Sequence, residues 1–216
     1  MEKLHQLNIL MHVIAGSGAL IIGMIAFLTR KKAAKHRRYG TIFTWLMIII
    51  VVTAMAGVII FGRNTFLLVL TLLSGYNCFS GIRTMRLRGQ KPRFLDYIVP
   101  IIVISSAVYY LYYINSIGLY WSPAVIYPTL GALFLLTIYD LCRGWMPVRF
   151  LQQSFIYEHV YKMLASYMAA VSAFSGTVFP QFKPYSQILP TFLGLLWIMI
   201  IFGSLRNKNA AKRIVS

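Results

Sequence analysis

Four histidines and four acids supply the imidazole and carboxylate chemistry of this 216-residue chain. A neutral imidazole can ligate a metal or haem iron, or pass a proton near neutral pH. His12 heads a helical stripe of small residues, with Ala15, Gly16, Ala19 and Gly23 at i+3, i+4, i+7 and i+11. Small residues at that spacing let membrane helices approach closely, so His12 is expected to face other helices. It reads equally as a cofactor ligand or proton carrier, and as a partner in an interhelical hydrogen bond. His159 shares its face with Ser166, Ala170 and Ala173, while Glu158 and Lys162 have the i, i+4 spacing of an ion pair. Lys162 has a second expectation, snorkelling to the headgroups.

His36 lies in Lys35-His36-Arg37-Arg38. There it belongs either to a solvated basic loop that meets anionic headgroups, or to a pair with His159 at one rim of the molecule. Asp96, Asp140 and Glu158 fall at the same ends of their segments and would make that rim a polar vestibule. Singly, each acid neutralises a nearby cation; Asp140 and Arg143 are spaced i, i+3. Asn77 shares a stretch with Ser74, Cys78 and Gly81 and is either a packing contact or a ligand-binding group. His5 and Glu2 are expected in solvent. His12 and His159 are expected toward opposite ends, too far apart to share one metal.

These side chains need elements to hold them, and composition says which. Residues are 59% hydrophobic and 12% charged, against about 25% charged in soluble domains. The chain is therefore read as an all-α integral membrane protein, a single domain over residues 1–216. Apolar runs at 8–28, 41–61, 65–85, 97–115, 123–141, 159–179 and 187–205 are each near the ~20 residues that cross a bilayer as helix. Their continuity excludes barrel strands, which alternate with period two. A bundle of about seven transmembrane helices is expected. The first run is too long for a cleaved signal peptide, and its positive flank follows it.

Charge then sets direction. Of 21 Lys and Arg, 17 fall in the segments after spans one, three, five and seven or, as Arg83 does, in the last turn before them, a side which the positive-inside bias makes cytoplasmic. The amino terminus is expected outside and the carboxyl terminus inside. Tyr109, Tyr110, Tyr112, Tyr113, Tyr120 and Trp121 gather at the outer end of the fourth span, where amphipathic rings favour headgroups. The net charge of +17 resembles a nucleic-acid signature in number only, because the basic residues lie between apolar runs. The partners expected are the bilayer and its anionic headgroups. Nucleic acid is not expected, and protein partners are left open.

Known catalytic motifs are missing. There is no HExxH, no phosphate-binding glycine loop and no G-x-S-x-G elbow. The seventh span, 187–205, holds no lysine for a retinal Schiff base. Cys78 and Cys142 match no zinc spacing and are expected as free thiols.

Three stretches together carry a resemblance. They are His12-(x3)-Gly16 with Ala19-Leu20 and Gly23, the run His36-Arg37-Arg38-Tyr39-Gly40, and His159-(x3)-Met163-(x2)-Ser166-Tyr167 followed by Ala169, Ala170, Ala173 and Phe174. With these the chain resembles an uncharacterised bacterial family of histidine-containing multi-pass membrane proteins. That resemblance implies a bacterial cytoplasmic (inner) membrane location and singles out His12, His36 and His159. It implies no reaction. The leading functional expectation is a histidine-lined intramembrane site for a small ligand or redox cofactor, a b-type haem or a quinone. A non-catalytic scaffold or assembly factor and a proton-coupled small-solute transporter are the alternatives.

Overall fold

The computed structural model describes residues 1–29, 32–62, 66–117 and 123–215. Among them the chain forms seven α-helices and no strand. The helices are α1 (Glu2–Leu28), α2 (Ala33–Ile59), α3 (Phe66–Leu87), α4 (Phe94–Ile117), α5 (Pro123–Cys142), α6 (Val148–Val178) and α7 (Tyr185–Val215). A short 3-10 turn, Pro180–Phe182, precedes α7. Arg30 and Lys31 of the first basic loop, Arg63 and Asn64, and Tyr120 and Trp121 of the aromatic cluster lie outside the described residues.

Five of the seven helices, α1, α2, α4, α5 and α7, are long and apolar enough to cross a membrane. The remaining two, α3 and α6, are the polar ones. Ser74, Asn77, Ser80 and Thr84 are buried along α3, and Glu158, Lys162, Ser166 and Ser172 along α6. These two helices pair extensively with each other, as α1 does with α2. Such an arrangement suits a membrane protein, in which apolar helices meet lipid and polar side chains turn toward other helices.

Two apolar cores result, and α3 joins them. Val69 and Tyr76 of α3 pack with Val103, Ala107 and Tyr110 of α4 and with Leu130 and Leu133 of α5. Cys78 of α3 packs instead with Ala19, Phe43, Met47, Leu164, Tyr167 and Ile198. The small-residue stripe of α1 closes the second core, since Ala15, Ala19, Gly23 and Ala26 are all buried. Gly23 is required there: a Cβ would stand 2.6 Å from the Tyr167 ring and 3.1 Å from Phe43. Tyr167 also donates from its hydroxyl to the Leu20 carbonyl at 3.1 Å. Reciprocal bonds tie α3 to α6, Ser74 Oγ to Ser166 O at 3.0 Å and Ser166 Oγ to Ser74 O at 2.8 Å.

The end of α3 is shaped by Gly89. Its φ of +80° lies in the left-handed region, and a Cβ would come within 2.5 Å of the Gln152 Cα. The turn after α3 therefore rests directly on the start of α6. Lys91 completes this corner by donating to the Gly144 and Met146 carbonyls beyond α5, both at 2.7 Å.

Candidate functional site

The end of α1, the starts of α2, α4 and α6, and the ends of α3 and α5 meet at one end of the bundle. Two polar assemblies stand side by side there, and α6 contributes to both.

The first is an ion network. Lys162, buried to 1% exposure, places Nζ 2.6 Å from Asp140 Oδ1, 3.7 Å from Glu158 Oε2 and 3.3 Å from Thr84 Oγ1. The other Asp140 oxygen accepts from the Tyr76 hydroxyl at 2.8 Å and from Ser80. Glu158 accepts from Ser154 at 2.5 Å through Oε1 and faces Arg143 Nε at 3.2 Å through Oε2. That last contact is an ion pair outside hydrogen-bond geometry, since neither Arg143 Nε nor Glu158 Oε2 makes a hydrogen bond. Alongside, Arg83 grips Asp96 with two parallel bonds, Nε to Oδ1 at 2.7 Å and Nη2 to Oδ2 at 2.8 Å. The Arg93 backbone N–H adds a third donor to Asp96 at 2.8 Å. Three cations thus answer three acids in the interior.

Several sequence expectations are corrected at this network. Lys162 does not snorkel; it is enclosed. Asp140 pairs with Lys162 and not with Arg143, whose partner is Glu158. The i, i+4 contact of Glu158 with Lys162 is present but is the longer of the two lysine contacts. Asp96, Asp140 and Glu158 do gather at one rim, yet they form a closed network and not an open vestibule. The space left among Asp96, Asp140, Arg83 and Arg143 is about 10 Å³, roughly the room for one water.

The second assembly is a pair of imidazoles. His159 Nδ1 lies 3.0 Å from the Gly81 carbonyl on α3, and His36 Nδ1 lies 2.9 Å from the Ala26 carbonyl on α1. A carbonyl only accepts, so in the neutral ring Nδ1 carries the proton and Nε2 keeps its lone pair. The two ring centroids are 6.4 Å apart with planes at 88°. Both residues are half-buried. His36 is therefore not a solvated loop residue: it opens α2, folds back on α1 and meets His159.

His12 is held alike but elsewhere. Its Nδ1 is 2.9 Å from Thr53 Oγ1 on α2, and that hydroxyl donates its own proton to the Ile49 carbonyl at 2.7 Å. Asn8 braces the same spot by donating to the Thr53 carbonyl at 3.0 Å. At ~1.5 Å per residue, 14 residues of α1 separate His12 from Ala26, about 21 Å along the axis. His12 and the His36–His159 pair thus stand at different levels of the bundle. His5 departs from its expected place in solvent, since its ring packs against Phe61 with centroids 4.6 Å apart. Asn77 is buried, donates to the Leu73 carbonyl of its own helix at 2.8 Å, and leaves Oδ1 without a hydrogen bond. It stands one turn before the Gly81 anchor and touches neither histidine by hydrogen bond.

Sequence reasoning missed Tyr76, Ser80, Ser154 and Thr53 as partners. Tyr76, Ser80 and Thr84 recur at i, i+4 and i+8 on α3, a polar stripe that marks the face turned toward α5 and α6. A larger cavity of about 670 Å³ lies between α1, α6 and α7, lined by Tyr167, Met168, Phe179, Tyr185, Leu193 and Trp197 among others. None of the histidines lines it, and its walls are almost wholly apolar. Cys78 and Cys142 are free thiols.

Comparison of the chain with known protein families, with curated proteins and with solved structures finds no match.

Proposed function

We propose that this chain is a seven-span protein of a bacterial cytoplasmic membrane whose inner end carries a site for a small ligand or redox cofactor. In this reading α3 and α6 cross the membrane inside a sleeve of apolar helices, with the amino terminus outside. The 17 basic residues of one set of segments support that direction. Exposed Lys32, Lys35, Arg37, Arg38, Arg86 and Arg149 would then meet anionic headgroups.

One observation carries the ligand reading. His36 and His159 each use Nδ1 on a main-chain carbonyl, and their rings approach to 6.4 Å. Imidazoles that ligate a metal are commonly fixed in this way, the second nitrogen donating to a carbonyl or carboxylate. Two lone pairs suit a metal centre or a donor hydroxyl such as that of a quinol. A quinone carbonyl, which also only accepts, suits them less. The transport alternative draws little support from the ion network, because each of its acids already has a cation in place. That same closed network favours the scaffold alternative as the second reading.

The test is extraction of the full chain from its native membrane in mild detergent, followed by an absorption spectrum and mass analysis of released small molecules. A bound species present in the wild type and in His12→Ala, but lost from His36→Ala and His159→Ala, is the expected result. Identical small-molecule content in all four proteins would remove the reading in favour of the scaffold.

A further inference from the structure

Resting on the two-histidine reading, we infer that the ligand of His36 and His159 is an iron porphyrin held between the rings, with one imidazole on each face. Three observations point there. The first is separation. An imidazole-to-metal bond of about 2.0–2.1 Å sets two rings facing each other across one ion at centroids about 6 Å apart, close to the observed 6.4 Å. Neighbouring ligands of a tetrahedral ion would sit closer together than that.

The second observation is the size of the donor set. Among the described residues no three His, Cys, Asp or Glu side chains are grouped to hold an ion. Glu158, next to His159 in sequence, is committed to Ser154, Arg143 and Lys162. A bare zinc or copper ion usually takes three or four protein ligands, and this site offers two. A metal bound here must bring its remaining donors with it, and a porphyrin brings four in one plane. Axial ligation of haem iron by side chains from facing helices of a bundle is an established use of such pairs.

The third is the surroundings. One turn beyond His36 stands Gly40, where a Cβ would meet nothing within 4 Å. Gly40 shares the His36 side of α2, so that side is open at this turn and would admit the edge of a flat ring. Lys32, Lys35, Arg37 and Arg38 flank His36 and are exposed, which provides charge for the two porphyrin carboxylates. The carbonyl bonds to Nδ1 would hold both rings in the tautomer that donates Nε2 to iron.

The experiment is titration of the purified full chain in detergent with haemin and, separately, with zinc and copper ions. Wild type and His12→Ala are expected to bind one haemin with the spectrum of a low-spin, six-coordinate iron. His36→Ala and His159→Ala should each lose the six-coordinate spectrum and weaken binding at least tenfold, with helicity and melting retained. Gly40→Leu, which keeps both histidines and fills the open side of that turn, should weaken haemin binding as well. Six-coordinate haemin in both histidine variants would overturn the inference. So would failure of the wild type to bind haemin. If copper or zinc then binds stoichiometrically and needs both histidines, the two-histidine site survives and only the porphyrin is wrong. If neither haemin nor either ion binds, and the membrane extract holds no histidine-dependent molecule, both readings fall.

Discussion

Glu158 and His159 are neighbours on one turn of α6, yet they enter opposite kinds of environment. Glu158 turns toward α5 and joins Arg143, Lys162 and Ser154 in a network where every charge has an opposite charge within 4 Å. His159 turns toward α3 and α2, fixes one nitrogen on Gly81, and leaves the other uncommitted beside His36. A charge-balanced cluster in a low-dielectric interior holds helices together and has no unpaired charge to offer a ligand. An oriented pair with spare lone pairs costs little to keep and has chemistry to offer. The difference separates structural polar residues from candidate ligands on physical grounds, although both are polar, inward-facing and on the same helix.

The largest effect should come from breaking the charge-balanced side. Lys162→Met leaves Asp140 buried with no cation in contact, and removing one partner of a buried pair costs about 3–5 kcal/mol. Unfolding in detergent followed by helicity should show that loss. Replacing Asp140 by Asn in the same protein should restore a large part of it, because the unpaired charge disappears while Tyr76, Ser80 and the methionine stay packed. If the single and double variants unfold alike, the network is not a charge-balanced unit and the contrast with His159 fails.

Gly81→Leu ranks next, because it strikes the seam common to both regions. A Cβ at Gly81 would meet Met163 Sδ at 2.9 Å and Lys162 Cβ at 3.2 Å. Overpacking of this kind costs about 1–3 kcal/mol, and the same shift would displace the carbonyl that orients His159. Stability and ligand binding should fall together in this variant, whereas Lys162→Met/Asp140→Asn should affect stability more than ligand. Thermal unfolding paired with haemin titration distinguishes them.

How much of this was legible beforehand depended on whether the signal was local. Apolar length made legible an all-helical chain with helices able to cross a membrane, because it is a property of a contiguous stretch. The α1 seam was legible for the same reason: Ala15, Ala19 and Gly23 share a face whatever they touch. Partner identity was not. Asp140 has Arg143 three residues away, but the i, i+3 rule holds only while both residues are helical and on one surface. Arg143 lies one residue past the end of α5, where the chain turns, and its side chain swings to Glu158. Lys162 reads as the i, i+4 partner of Glu158 or as a snorkelling lysine until α5 is known to place a carboxylate 2.6 Å away. His36 and His159 are 123 positions apart, and only the fold of α1 back onto α2, and of α3 onto α6, brings them together.

Removing an imidazole on the histidine side should cost less stability than either change above. His36→Ala or His159→Ala loses one hydrogen bond to a carbonyl, about 1 kcal/mol, and should abolish six-coordinate haemin. A melting shift as large as that of Lys162→Met would mean that the pair is structural after all, which is the outcome most damaging to the contrast.

His12→Ala should have the smallest effect, and it sharpens the comparison most finely. His12 matches His36 and His159 in residue type, in a bonded Nδ1 and in half-burial. It differs in having no second imidazole across from it and in using a hydroxyl as anchor. If ligand capacity follows from an anchored imidazole alone, His12→Ala should lose ligand as the other two variants do. If it follows from convergence, His12→Ala should keep full haemin stoichiometry and lose only an interhelical contact. Such contacts average about 0.6 kcal/mol in membrane bundles, partly because the unfolded helices also find partners. Thr53 keeps its bond to Ile49 in the variant, and Asn8 still reaches the Thr53 carbonyl, so α1 and α2 remain joined at that level. A small melting shift with an unchanged haemin spectrum would therefore assign the chemistry to the pair, whereas loss of haemin would require a second ligand site some 21 Å along α1.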